Sequence, residues 1–126
     1  MNRVVMGEMS WTETPELVKE KLNEVFPKLA EHYVADEPVL SYFSEIKPHY
    51  QLGFLIPLKC KETSENEGCV IYYPIKDVFV RKYSKVSAYP VMDYERIYNT
   101  KRGAMRIIEL NGKAAVQFTK PFQKIN

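Results

Sequence analysis

Cysteine is nearly absent: Cys60 and Cys69 are the only two in 126 residues, too few for the disulfide framework of a small secreted scaffold. Histidine is equally sparse, and His32 and His49 with those two cysteines stand at no spacing that makes a tetrahedral zinc set. The five glycines include no phosphate-cradling loop, and no nucleophile elbow occurs. No run approaches the roughly 20 apolar residues of a membrane span. The first residues, Met1 to Glu8, lack the apolar stretch of a signal peptide, so the expectation is a cytoplasmic protein that makes no membrane contact. Neither sign of charge dominates: 18 Lys and Arg against 16 Asp and Glu leave a net +2. That balance is too even for a protein whose affinity rests on neutralising many phosphates, and it excludes a dedicated nucleic-acid binder. The one basic and aromatic stretch, Arg81-Lys82-Tyr83-Ser84-Lys85, spreads its charges over both faces of a strand and reads as a solvated strand end.

Aromatic residues, by contrast, are plentiful: nine Tyr, six Phe and one Trp. Such side chains suit amphipathic pockets and interfaces. With 45% hydrophobic residues the chain can bury the core of one compact domain without metal or disulfide staples.

The organisation reads as strand, helix, strand, strand, twice over. Val4 to Trp11 is a short strand. Thr14, Pro15 and Glu16 are helix-start signals, and Leu17, Val18, Leu22, Val25, Phe26, Leu29 and Tyr33 recur at helical spacing. Pro27 interrupts this stripe without breaking its phase, which predicts a kinked or two-piece helix ending near Val34 or Ala35. Val39 to Ile46 and Tyr50 to Lys59 are strands around a Lys47-Pro48-His49 turn.

The polar loop Glu62 to Gly68 divides the chain into pseudo-repeats of about 1–60 and 69–126. If its two arms pair, the thiols of Cys60 and Cys69 are expected to face each other. In the second half, Cys69 to Pro74 and Val78 to Ser84 read as strands. A second helix is expected from Pro90 through Tyr98, with Asp93 and Glu95 early, Lys101 and Arg102 late and Gly103 as its stop. Ala104 to Leu110 and Ala114 to Lys120 then form a hairpin through Asn111-Gly112, the strongest turn signal present. The expected fold class is α+β: two such units forming an antiparallel sheet with helices on one face and a concave ligand face opposite.

Several of these segments resemble the GyrI-like (gyrase-inhibitor-like) small-molecule-binding domain. They are the doubled element order, Tyr42-Phe43, Leu52-Gly53-Phe54-Leu55-Ile56-Pro57-Leu58, and Arg106-Ile107-Ile108-Glu109-Leu110 with the Lys120-Pro121-Phe122 end. The resemblance implies a stand-alone effector-binding domain without a DNA-binding region. It further implies that Glu109 matches the family's glutamate at the pocket floor.

Glu109 is also conspicuous as a carboxylate in an apolar strand, where it faces either solvent or a cavity. Alternation sets it on one face with Met105 and Ile107. If Val116 and Phe118 pack on the helices with Ile108 and Leu110 as their cross-strand neighbours, that face is the opposite one, and Met105 and Ile107 line a cavity around Glu109. Tyr42, Tyr83 and Trp11 are the aromatic candidates for its walls. The expected function is binding of a planar or cationic organic compound by stacking and charge, with no cofactor and no metal. Two alternatives stand beside it: hydrolysis of a reactive small molecule with Glu109 as general base, and inhibition of a protein partner through the acidic loop and the basic strand.

Overall fold

A computed structural model describes residues 4–46, 49–92 and 94–125. Its elements in chain order are β1 (Val4–Glu13), α1 (Pro15–Val25), α2 (Leu29–His32), β2 (Tyr33–Ala35), β3 (Val39–Ile46), β4 (His49–Cys60), β5 (Asn66–Tyr73), β6 (Val78–Lys82), β7 (Ala88–Pro90), β8 (Ile97–Thr100), β9 (Gly103–Leu110) and β10 (Lys113–Ile125). The architecture is antiparallel and mostly β, with two short helices. One sheet runs β1-β10-β9-β8; the other runs β6-β5-β4-β3-β7, with β2 also pairing β4. No helix among the described residues is long and apolar enough to cross a membrane.

Helix α1 starts as the sequence predicts. The Thr14 hydroxyl accepts from the Leu17 amide at 3.2 Å, and Pro15 occupies the first turn, where its missing N–H costs nothing. Only Val18 and Leu22 of its stripe are fully buried; Leu17 and Val25 are exposed. Pro27 ends the helix, because residue 27 has no amide to continue the ladder. One further turn forms α2, and the three residues expected to complete the helix instead pair as β2, with Tyr33 opposite Cys60.

Among the described residues of 90–98 the second expected helix is absent. Residues 97–100 are a strand that pairs β9, with Thr100 opposite Gly103 across a two-residue turn. Gly103, with φ +117°, is a hairpin residue and not a helix stop; a Cβ there would meet the Thr119 carbonyl oxygen at 2.6 Å. Tertiary pairing wins here because Ile97, Tyr98 and Thr100 are strand formers as well as periodic. Asp93 and the Lys47-Pro48 part of the expected turn lie outside the described residues.

The second half therefore does not repeat the strand, helix, strand, strand order among the described residues. The expected loop at 62–68 is shorter: residues 61–65 join β4 to β5, neighbours in one sheet, and 66–68 belong to β5. That pairing puts Cys69 opposite Pro57, while the Cys60 amide bonds the Glu65 carbonyl, so the two thiols do not face each other and both are free.

One main core lies between the sheets and under α1. It gathers Val18 and Leu22 from the helix, Leu52, Phe54, Ile56 and Leu58 from β4, and Met105, Ile107, Val116 and Phe118 from the other sheet. The odd-numbered side of β4 and β5 is also covered: Phe43, Cys69, Ile71 and Tyr73 are buried in a second cluster with Leu55, Val80 and Val86. Gly53 makes that cluster fit, since a Cβ there would stand 2.8 Å from Ile71 Cγ2 and 3.3 Å from Phe43 Cδ2.

Candidate functional site

The Asn111-Gly112 turn decides where Glu109 goes. Both residues take positive φ, 53° and 77°, as a two-residue primed turn requires. Leu110 thus pairs with Lys113, Glu109 with Ala114, Ile107 with Val116 and Met105 with Phe118. The pairing assumed from sequence is off by one residue, and one residue exchanges the faces. Met105 and Ile107, expected to line a cavity, are core residues at 0% and 1% exposure. Glu109 continues their face past the end of the core and is exposed. None of the cavities described below has Glu109 in its lining.

The aromatic candidates separate. Trp11 stacks on Phe118 at 5.3 Å between ring centroids and is packing. The Tyr42 hydroxyl lies 2.6 Å from that of Tyr98, tying one sheet to the other beside a cleft of about 250 Å³ that Tyr50 and Tyr73 also line. Tyr83 is 81% exposed and stands at the mouth of the largest cavity described below.

A buried polar cluster that the sequence reading missed joins β1, α1, β5 and the β8–β9 turn. Glu13 is 8% exposed. Its Oε1 lies 2.9 Å from the Tyr72 hydroxyl, 3.4 Å from Arg102 and 3.7 Å from Lys21, while Oε2 is buried without a partner. The Tyr72 oxygen is also 2.5 Å from Asp77 Oδ1 and accepts from Lys21 at 3.0 Å and Arg102 at 3.3 Å. One phenolic proton serves two carboxylates, one at a time, and the two cations balance the two anions.

Burial, with the hydrogen bond to Asp77 and the charge of Glu13, pushes the Tyr72 hydroxyl far above the usual phenol range. At Asp77 burial opposes ionisation, but the Lys21 ammonium and the Tyr72 hydroxyl outweigh it and hold the carboxyl below its usual value. Arg102 completes the cluster by donating to the Pro74 carbonyl at 2.6 Å and lying 4.7 Å over the Phe118 ring. Glu13 and Arg102 belong to the first sheet and its β8–β9 turn and Tyr72 to the second, so the cluster ties one sheet to the other.

The outer face of the second sheet, away from α1, offers the space. β6 and β7 lie on opposite edges of that sheet, and residues 83–87 connect them. Four strand spacings amount to about 19 Å, and the six Cα steps from Lys82 to Ala88 reach only about 20 Å. The crossing is possible only if this strap runs extended or the sheet curls towards it. Val86 anchors the strap on the second apolar cluster.

To one side lies a cavity of about 480 Å³ between strap and sheet, lined by Leu55, Pro57, Cys69, Tyr83, Lys85 and Val86 among others. To the other side lies one of about 280 Å³, which shares Lys85 and Val86 and adds Phe43, Ser44, Lys82 and Ser87. Burial raises the Cys69 thiol above its usual range despite nearby Arg81 and Lys82, which disfavours the thiolate and leaves this cysteine as an apolar wall. Arg81, one of the expected basic contacts, is spent internally on the carbonyls of Glu67, Cys69 and Lys82.

One signal in the sequence could have pointed here: the runs Leu52 to Leu58 and Cys69 to Pro74 are apolar on both parities, which marks strands covered on both faces. Among the described residues no group of three or more His, Cys, Asp or Glu could hold a metal ion. Comparison with protein-family models, with curated proteins and with solved structures found no match.

Proposed function

We propose that this protein binds a small amphipathic organic molecule, the apolar body lying between the strap at 83–87 and the outer face of its sheet. The observation that carries the reading is a segment held across a sheet face with about 480 Å³ of space beside it, walled by Leu55, Pro57, Cys69 and Val86. Volume and lining are those of a site for a small organic ligand. This keeps the small-molecule function that the GyrI-like resemblance implies and moves the site from Glu109 to the strapped face, with Tyr83 the one expected ligand residue at its mouth. The binding reading is favoured over the hydrolase alternative because Glu109 is exposed, whereas that alternative called for a buried general base.

Titration with Nile red, a neutral apolar dye, tests the reading. The expected result is a blue-shifted, saturable emission that Leu55→Gln weakens by about tenfold, the factor that corresponds to about 1.4 kcal/mol of lost apolar contact. No dye binding, or equal binding by a Leu55→Gln variant that melts like the parent, would refute it.

A further inference from the structure

We infer that the second cavity, beyond Val86, receives an oxyanion head group, carboxylate or phosphate, of the molecule whose apolar body fills the first. The inference rests on the binding role proposed above and assigns the other end of the ligand. Lys85 and Val86 wall both cavities, so a single elongated molecule meets both on passing the strap.

The linings differ in kind. The first is mainly apolar; the second brings Ser44, Ser87, Lys82 and Lys85 around a floor of Phe43 and Ile71. No carboxylate is among the described residues lining either cavity, and two ammonium groups are. A cation would meet like charge there, whereas an anion gains the Lys85 ammonium as a charge-assisted partner. The cationic compound expected from sequence followed from Glu109; the lysines reverse the sign.

Ser44 supplies the independent observation. Its hydroxyl is buried with no hydrogen-bond partner, one of two such side-chain atoms among the described residues, the other being Glu13 Oε2. A hydroxyl left so is costly unless something accepts its proton, and an oxyanion in the adjoining 280 Å³ would do so. Lys85 is exposed at the boundary of the two cavities and makes no hydrogen bond or ion pair among the described residues, which leaves it to the ligand.

Calorimetric titration of the whole protein with four probes of one chain length tests this: decanoate, decyl phosphate, decanol and decylamine. Both acids are expected to bind at least about tenfold more tightly than decanol, with decylamine weakest. Lys85→Met combined with Ser44→Ala should bring acids and alcohol level by removing the advantage of the acids. Whichever acid binds more tightly identifies the head group. Equal binding of all four probes overturns the head-group inference and leaves the apolar site standing. An acid preference that survives the double substitution overturns it too, and absence of binding by every probe overturns both readings.

Discussion

Replacing Arg102 by methionine keeps an apolar stem against Phe118 and removes the guanidinium from a buried carboxylate. Glu13 then retains Tyr72 at 2.9 Å and Lys21 at 3.7 Å, and the Pro74 carbonyl loses its donor. Removing one partner of a fully buried ion pair costs about 3–5 kcal/mol. Here the Arg102 side chain is 23% exposed and Lys21 34%, so water and the remaining cation recover part of that. A loss of about 2–3 kcal/mol remains, which for a domain of this size lowers the melting temperature by about 8–12 °C.

Urea unfolding followed through Trp11, which stacks on Phe118 beneath Arg102, measures it. Repeating the substitution in a Glu13→Gln background isolates the pairwise part, expected at about 1–2 kcal/mol. A loss below about 0.5 kcal/mol, or the same loss in both backgrounds, would show that Arg102 does not compensate Glu13 and would refute the cluster as a tie between the sheets.

Other outcomes follow from the same geometry. Because the folded Tyr72 hydroxyl is held above its unfolded value, stability is complete below about pH 10 and falls as pH rises beyond it; Tyr72→Phe should flatten that alkaline limb in denaturation curves taken from pH 8 to 11. Asp77 shifts the other way, so its contribution is present above about pH 4 and fades as pH falls further; Asp77→Asn should weaken the acid limb, and an unchanged limb would count against the Lys21 and Tyr72 contacts. Gly53→Ala forces a methyl to 2.8 Å from Ile71 Cγ2 and 3.2 Å from the Tyr72 carbonyl, both in close-packed surroundings; a cost of about 1–3 kcal/mol is expected in urea unfolding. Glu109→Gln, on an exposed strand end, should change stability by less than about 0.5 kcal/mol and leave probe binding as it was.

Local chemistry alone settled the start of α1, the Asn111-Gly112 turn and the strands on either side of it. Thr14, Pro15, Asn111 and Gly112 act on their own backbone neighbours, and no distant partner is needed to read them. Apolar, β-prone runs settled that β4 and β5 are strands. What only the tertiary structure decided was the state of segments whose patterns serve two purposes, and the identity of the partners. Ile97 to Thr100 is periodic enough for a helix and β-branched enough for a strand, and the open edge of β9 chose between them. Glu109 changed from pocket floor to exposed strand end because a register set by a two-residue turn differs by one from the register assumed, and a period of two amplifies one residue into a whole face. The Glu13, Lys21, Tyr72, Asp77 and Arg102 cluster joins residues up to 89 positions apart, and each of the five looks unremarkable in its own segment. The strapped cavities arise for a similar reason: Lys85 and Ser44 become neighbours only because β6 and β7 occupy opposite edges of one sheet, so that the chain between them has to cross its face.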